Sequence, residues 1–270
     1  MPAIPVLAAL VAALLAAQVA PLDPLRQELG LRLKPPGWVG EGGATYWLGT
    51  DQLGRDLLTR IIFGARISLS VGLLSTLLGG IVGTGLGMLA GYFRGRVDAA
   101  ITKLIDVQLS FPFILFAISV IAVTGPSFRV LGVVLAIGSW VTYARVVRAE
   151  TFRLREREFV AAGRALGCSQ AAVLRSHVLP NIFSYALVLA TVEVGRIIIL
   201  ESTLSFLGLG VPPSTATWGG MMSDASEYIR MAWWTATFPG LAILLTVLSI
   251  NLTGDALRDL WDPRRRDRGA

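Results

Sequence analysis

Glu156-Arg157-Glu158-Phe159-Val160-Ala161-Ala162-Gly163-Arg164-Ala165-Leu166-Gly167, then Cys168-Ser169-Gln170 and the run from Ala171 to Pro180, is the longest polar, helix-forming interruption in a mostly apolar chain. Phe159, Ala162, Gly163 and Leu166 recur at helical spacing and predict one face that is apolar and small. Arg157 and Arg164 lie two turns apart and share the other side. Gly167 reads as the left-handed stop of that helix. Ser169 is suited to cap a second short helix through its hydroxyl, and Pro180 suits the entrance of the helix that follows. The stretch thus predicts a helix-turn-helix finger between two hydrophobic segments. A solvated loop between two membrane helices is the plainer reading. The run Ala161-Ala162-Gly163 argues against it, because an isolated surface helix has no use for three small residues together, whereas a closely packed partner does.

Of 270 residues, 54% are hydrophobic and 16% are charged, with a mean hydropathy of +0.65. A soluble domain carries about 25% charged residues, so this chain has too little charge to cover a soluble surface. Its apolar runs are long and continuous, unlike the short alternating segments of a membrane barrel. They predict an all-α integral membrane protein of about six transmembrane helices. The single cysteine, Cys168, excludes an intramolecular disulfide framework, and the single histidine, His177, excludes a multi-histidine metal site.

The first expected span is Met1 to Ala20, roughly 30 Å as a helix. A signal peptide competes with it, because Ala16-Ala17-Gln18-Val19-Ala20 faintly resembles a cleavage site. Residues 21–66 form a long polar segment, expected outside the cytoplasm. Thr50 and Asp51 are candidate caps for an amphipathic helix through Leu57, Ile61, Ile62 and Ala65, lying at the membrane surface. Ile67 to Tyr92 is the second expected span. Its Gly79, Gly83, Gly87 and Gly91 fall on one face and predict close helix packing. Leu104 to Val123 is the third, kinked at Pro112, with Asp106 near its start. Val130 to Val147 is the fourth. Ile182 to Leu209, about 28 residues, exceeds the ~20 needed to cross and is expected to tilt or break. A Pro/Gly/Thr-rich loop then leads through Trp218-Gly219-Gly220 to a short interfacial helix over Asp224 to Arg230. Ala232 to Asn251 is the sixth span, with Trp233 and Trp234 at one boundary and Pro239 as a kink. Gly254 and the charged turns after it read as a helix end.

Six spans make the loops alternate, and the larger share of the 24 Lys and Arg falls on the side holding the finger and the tail. That places both termini and the finger in the cytoplasm. Topology explains the net charge of +6, so nucleic-acid binding is not needed.

Four stretches carry a resemblance. Ala161-Ala162-Gly163, Gly167, His177 and Leu179-Pro180 resemble the EAA loop of permease subunits of binding-protein-dependent ABC importers; Ala161 stands where that family has Glu. Trp47-Leu48-Gly49-Thr50-Asp51, Leu53-Gly54-Arg55-Asp56 resembles the dipeptide, oligopeptide and nickel branch of those permeases. So do Leu204-Ser205-Phe206-Leu207-Gly208-Leu209-Gly210 and the tail Asn251-Leu252-Thr253-Gly254-Asp255, Leu257-Arg258-Asp259, Asp262-Pro263-Arg264. Together they span about Trp47 to Arg264. The resemblance implies a permease core over residues 67–255, with a coupling loop at about 149–181, and a cytoplasmic basic tail over 256–270. It also implies that Arg157, Glu158, Ala161, Ala162, Gly163, Gly167, Ser169, His177 and Pro180 dock on a cytoplasmic ATPase subunit. The expected partners are a second permease subunit, two ABC ATPase subunits, an extracytoplasmic substrate-binding protein and the lipid membrane. The implied cargo is peptides or related small solutes such as nickel chelates.

The sequence contains no Walker A pattern, and neither Lys34 nor Lys103 follows a glycine-rich phosphate loop. ATP and Mg are therefore expected on partner chains, with no cofactor, metal or catalytic site on this one. Glu193, Arg196 and Glu201 lie inside the fifth apolar segment. Ionisable groups there are costly and tend to face a cavity or a partner. Glu193 and Arg196 are three apart, so they are expected either to pair on one helix face or to line a translocation path, with Glu201 beside them. An ATP-independent channel or secondary transporter is the alternative, and an intramembrane enzyme a further one. Neither accounts for the small-residue finger.

Overall fold

The computed structural model describes residues 18, 20, 22–40 and 43–261, with side chains to residue 256. The expected span over Met1–Ala20, but for residues 18 and 20, and the end of the basic tail lie outside the described residues. Nine helices are used below: α1 (Leu57–Phe93), α2 (Gly95–Leu109), α3 (Phe113–Thr124), α4 (Phe128–Arg155), α5 (Glu158–Ala165), α6 (Gln170–Val173), α7 (Leu179–Phe206), α8 (Trp218–Ala225) and α9 (Trp234–Trp261). A π-helical turn, Leu174–Val178, joins α6 to α7. The only sheet among the described residues is a two-stranded antiparallel hairpin, β1 (Trp38–Val39) with β2 (Thr45–Tyr46). Four helical runs are long and apolar enough to cross a membrane, and the bent pair α2–α3 makes a fifth if counted as one span. The protein is thus a multi-pass helical membrane protein.

Several expectations need correction. Asp56, not Thr50 or Asp51, caps α1, its Oδ2 accepting the Thr59 N–H at 2.8 Å. The surface helix expected to end near Ala65 and the span expected from Ile67 are one helix of 37 residues, about 55 Å long. Arg60, within its first turns, is buried and paired rather than solvated. The kink expected at Pro112 is a break: α2 and α3 meet at 79° across Ser110–Pro112. There the missing N–H and the ring of proline stop the helix outright. The fourth and fifth spans are longer than expected. α4 reaches Arg155, and α6, the π turn and α7 run together from Gln170 to Phe206. Pro180 is the second residue of α7, the helix entrance expected for it. It follows directly on the π turn, the local widening that lets a ring without an N–H enter a continuing helix. The short helix expected at Asp224–Arg230 is displaced: α8 covers Trp218–Ala225, capped by Thr217, which accepts the Gly220 N–H at 3.1 Å, and residues 226–230 form turns. Gly254 ends nothing: α9 continues through it. Its lack of a side chain serves packing, since a Cβ there would sit 2.7 Å from that of Thr191.

The chain forms two compact units. The first comprises Met1–Leu73, Ile118–Gly132 and Val194–Leu252. Its core packs Ala65 and Leu69 of α1 on Val194 and Ile198 of α7, with Trp218 and Ile250. The Trp218 indole donates to the Ile61 carbonyl at 3.0 Å. The second unit comprises Leu74–Ala117, Val133–Glu193 and Thr253–Ala270. In it the glycine face expected on the second span packs α1 on α4 at backbone distance. A Cβ at Gly87 would lie 2.5 Å from the Ala144 carbonyl oxygen, and one at Gly91 2.5 Å from the Thr151 Cβ. Gly79 and Gly83 meet Ser139, Trp140 and Tyr143 as closely. This is small-residue packing of the kind that holds helices together in lipid.

Candidate functional site

The finger belongs to the second unit and consists of α5, the Leu166–Ser169 turn, α6 and the π turn. Gly167 has φ +80, so the stop expected there is left-handed, a conformation in which a side chain is strained. Ser169 caps α6 by accepting the Ala172 N–H at 3.2 Å. α5 turns Val160 and Gly163 inward. Gly163 leaves the expected apolar face and meets His177 instead, whose ring atoms would lie 3.4 Å from a Cβ at that position. Phe159 is 42% exposed and Leu166 84% exposed, with Ala161 and Ala162 exposed between them. Arg157, Glu158, Ser169 and Pro180 are exposed as well. The finger thus presents a small, apolar outer face flanked by charge.

Behind that face is a core which the sequence reading missed. Val160, Val173, Leu174, Val178 and Ile182 close on Val147 and Leu154 of α4 and on Tyr92, near the end of α1. The Arg155 and Arg164 guanidiniums lie 5.8 and 5.9 Å from the Tyr92 ring centroid. Arg164 Nη2 also donates to the Arg155 carbonyl at 2.6 Å, tying the far end of α5 to the end of α4. α1 turns into α2 at Arg94 and Gly95, both left-handed. Arg94 pairs with Glu156 at 2.7 Å, and its guanidinium and that of Arg148 both lie near the Phe152 ring. Arg148 in turn holds Asp98 of α2 through both of its carboxylate oxygens. No periodicity marks Tyr92 or Arg94 in the sequence.

The candidate path residues differ in burial. Glu193 is buried and Arg196 half-buried, and each makes a polar or electrostatic interaction. Glu201, in the first unit, is fully buried. It accepts from Ser205 Oγ at 2.7 Å and Ser202 Oγ at 3.3 Å, so in this conformation it lies behind the surface of α7.

The first unit holds a second polar cluster. Asp51 Oδ2 accepts from Arg55 Nε and from Arg60 Nη1, both at 2.6 Å, and its Oδ1 accepts the N–H groups of Leu53 and Arg55. All three charged residues are at most 5% exposed. Asp224 of α8 approaches the same arginines more loosely, at 3.4 and 3.7 Å. Its carboxyl is raised above the usual carboxylate range by burial, against the hydrogen bond from Gln52 and the attraction of Arg55. Trp234 Nε1 donates to the Thr50 carbonyl at 3.2 Å and closes the cluster from α9. The sequence places Asp51 in a motif but pairs it with nothing.

Residues 83–267 match the family described as the binding-protein-dependent transport system inner membrane component. A di/tripeptide transport system permease protein, DppC, of Pseudomonas aeruginosa is 43% identical over 94% of this chain and 84% of its own length. A glutathione transport system permease protein, GsiD, of Pectobacterium atrosepticum is 42% identical over 84% of this chain and 75% of its own. Among solved structures, the methionine ABC transporter MetNI in an inward-facing conformation aligns with a TM-score of 0.64, at 19% identity, over 76% of this chain and 98% of that one. At that identity the likeness is one of fold.

Proposed function

This chain belongs to the family of binding-protein-dependent transport system inner membrane components, and from that premise we propose that it is the permease subunit of an ATP-driven importer of short peptides. It forms one part of the translocation path and couples to ATPase subunits that are separate chains. The observation that carries the reading is the finger, with small and apolar residues outward on a base locked to α1 and α4. Exposed Phe159 and Leu166, with Ala161 and Ala162 between them, suit a cleft on a partner protein. Arg157 and Glu158 then lie at the rim of that contact, while Gly167 and Ser169 shape the turn. His177 and Gly163 pack the finger internally, and Pro180 sits where it joins α7. The names of the relatives favour peptides over nickel chelates as cargo. ATP and Mg belong on the partner ATPases. A second permease and an extracytoplasmic binding protein complete the assembly, in a cytoplasmic membrane with both termini inside. Glu193 and Arg196 are the candidates for the path.

The test is purification of a C-terminally tagged chain in mild detergent, with mass spectrometry of every co-purifying protein. ATPase chains bearing a Walker A motif and a second permease are the expected result. A chain that emerges alone under several gentle conditions, with flux that survives ATP depletion, would instead indicate an ATP-independent transporter. Glu193→Gln combined with Arg196→Gln should change the rate of peptide uptake; an unchanged rate removes them from the path.

A further inference from the structure

Tyr92 is the residue of α1 that is buried in the finger's core, 4% exposed among Val160, Val173, Leu174 and Val178; Met88 lies only partly buried against it. Two guanidiniums lie over its ring, Arg155 from the end of α4 and Arg164 from α5. Seven residues of the same stretch, Gly87 to Phe93, include the Gly87 and Gly91 contacts at which α1 touches α4 backbone to backbone. A force delivered to the finger therefore meets Tyr92 first, and meets it where α1 has no room to slip along α4. The Arg94–Glu156 pair is a second tie between the same parts. Its side chains are 42% and 66% exposed, so solvent and salt weaken it.

We infer that Tyr92 is the positioning residue that makes α1 and the finger one body, so that displacement of the finger is carried into that helix. This rests on the docking role proposed above for its mechanical use, but the tie itself is a property of this chain. The ring acts in two ways. Its edge and faces fill the core, and its π-face attracts the two arginines, which apolar volume alone does not do. Phenylalanine preserves both functions. Leucine preserves the apolar filling and loses the attraction.

The lone cysteine, Cys168, is exposed at the tip of the finger, and Leu78 of α1 is 49% exposed. Spin labels at Cys168 and at Leu78→Cys therefore report the finger relative to α1. The measurement is their distance distribution by pulsed electron resonance, in the complex purified through this chain, without nucleotide and with ATP and vanadate. The unsubstituted Tyr92 and Tyr92→Phe should each give one narrow distribution, unchanged by ATP and vanadate. Tyr92→Leu should broaden it at least twofold, and more so with nucleotide, while the yield and thermal midpoint of the complex stay the same. A narrow distribution in Tyr92→Leu under both conditions overturns the inference. So does a shift of several ångströms in the unsubstituted chain on adding nucleotide, because the finger would then move independently of α1. If no ATPase co-purifies, the docking reading fails, and the nucleotide-free widths of the three chains still decide the role of Tyr92.

Discussion

The two units keep their charge in opposite ways. In the first, Asp51, Arg55 and Arg60 are buried together, with one carboxylate accepting four hydrogen bonds. In the second, the charges around the finger stay at the surface. Arg94, Glu156 and Arg153 are 42%, 66% and 52% exposed, and the guanidiniums of Arg155 and Arg164 lie over the Tyr92 ring. The interior of the second unit is instead glycine against backbone and aliphatic against Tyr92. A buried ion cluster is rigid only while complete, because removing one member leaves the others charged and unsolvated. A glycine contact has no such all-or-none character; it fails by steric degree.

The largest effect is therefore expected from Asp51→Ala. It strands two buried guanidiniums and two backbone N–H groups at once. Loss of one partner from a buried pair costs about 3–5 kcal/mol, read as the shift in denaturant midpoint of the detergent-solubilised protein. A loss below about 1 kcal/mol would mean that Asp224 takes over the arginines, and that the cluster is less sharply defined than its distances indicate.

The second unit should respond less, and by position. At Gly83 an added Cβ would lie 2.6 Å from the Tyr143 Cβ and closer still to the Trp140 carbonyl, so Gly83→Leu should destabilise by about 1–3 kcal/mol. Gly85 lies on the same helix with nothing within 4 Å of a built Cβ. There alanine is the better helix former, and Gly85→Ala should be neutral or stabilising by up to about 1 kcal/mol. Equal losses at the two sites would show that helix flexibility, and not close approach, is what the glycines supply.

The glycine face was legible in the sequence because it is local. Residues four apart share a helix face whatever the rest of the chain does. The finger was legible for the same reason, through Ser169 as a cap and Gly167 as a stop. The ion cluster was not, since Arg55 and Asp224 are 169 positions apart and only the fold brings them together. The surface helix and the second span were divided at Arg66, where the continuous apolar run begins, although α1 passes through that residue unbroken. Pro112 was read correctly as a disturbance, but the size of the bend is set by packing that no single residue encodes. Gly163 went to the wrong face because it lies between the two sides of a short helix, and His177 decided which side it joined. Glu201 shows the same limit. Its position in an apolar run marks it as costly, but whether a path or three serines receive it depends on Ser202 and Ser205 packed beside it and on Ser68 of α1.

The smallest effect, and the one that most sharpens the contrast within the cluster, concerns Asp224. Unlike Asp51 it is 41% exposed and 3.4 to 3.7 Å from its arginines, and burial outweighs their pull in raising its pKa above the ordinary 3.8. A folded-state value above the unfolded one means that the folded protein holds this proton more tightly. The stabilisation from that proton is present in full below 3.8 and is lost as pH rises through the raised value. Asp224→Asn removes the proton-linked contribution and little else, so at neutral pH it should change stability by no more than about 0.5 kcal/mol. Denaturant midpoints of the two proteins, compared at intervals from neutral pH down to about pH 4, should show the unsubstituted chain gaining on the variant as the medium becomes acid. The opposite slope would mean that Arg55 and Arg60 outweigh burial and pull the Asp224 pKa below its ordinary value. The cluster would then be a closed four-residue network, and α8 would be bound to it as tightly as α1.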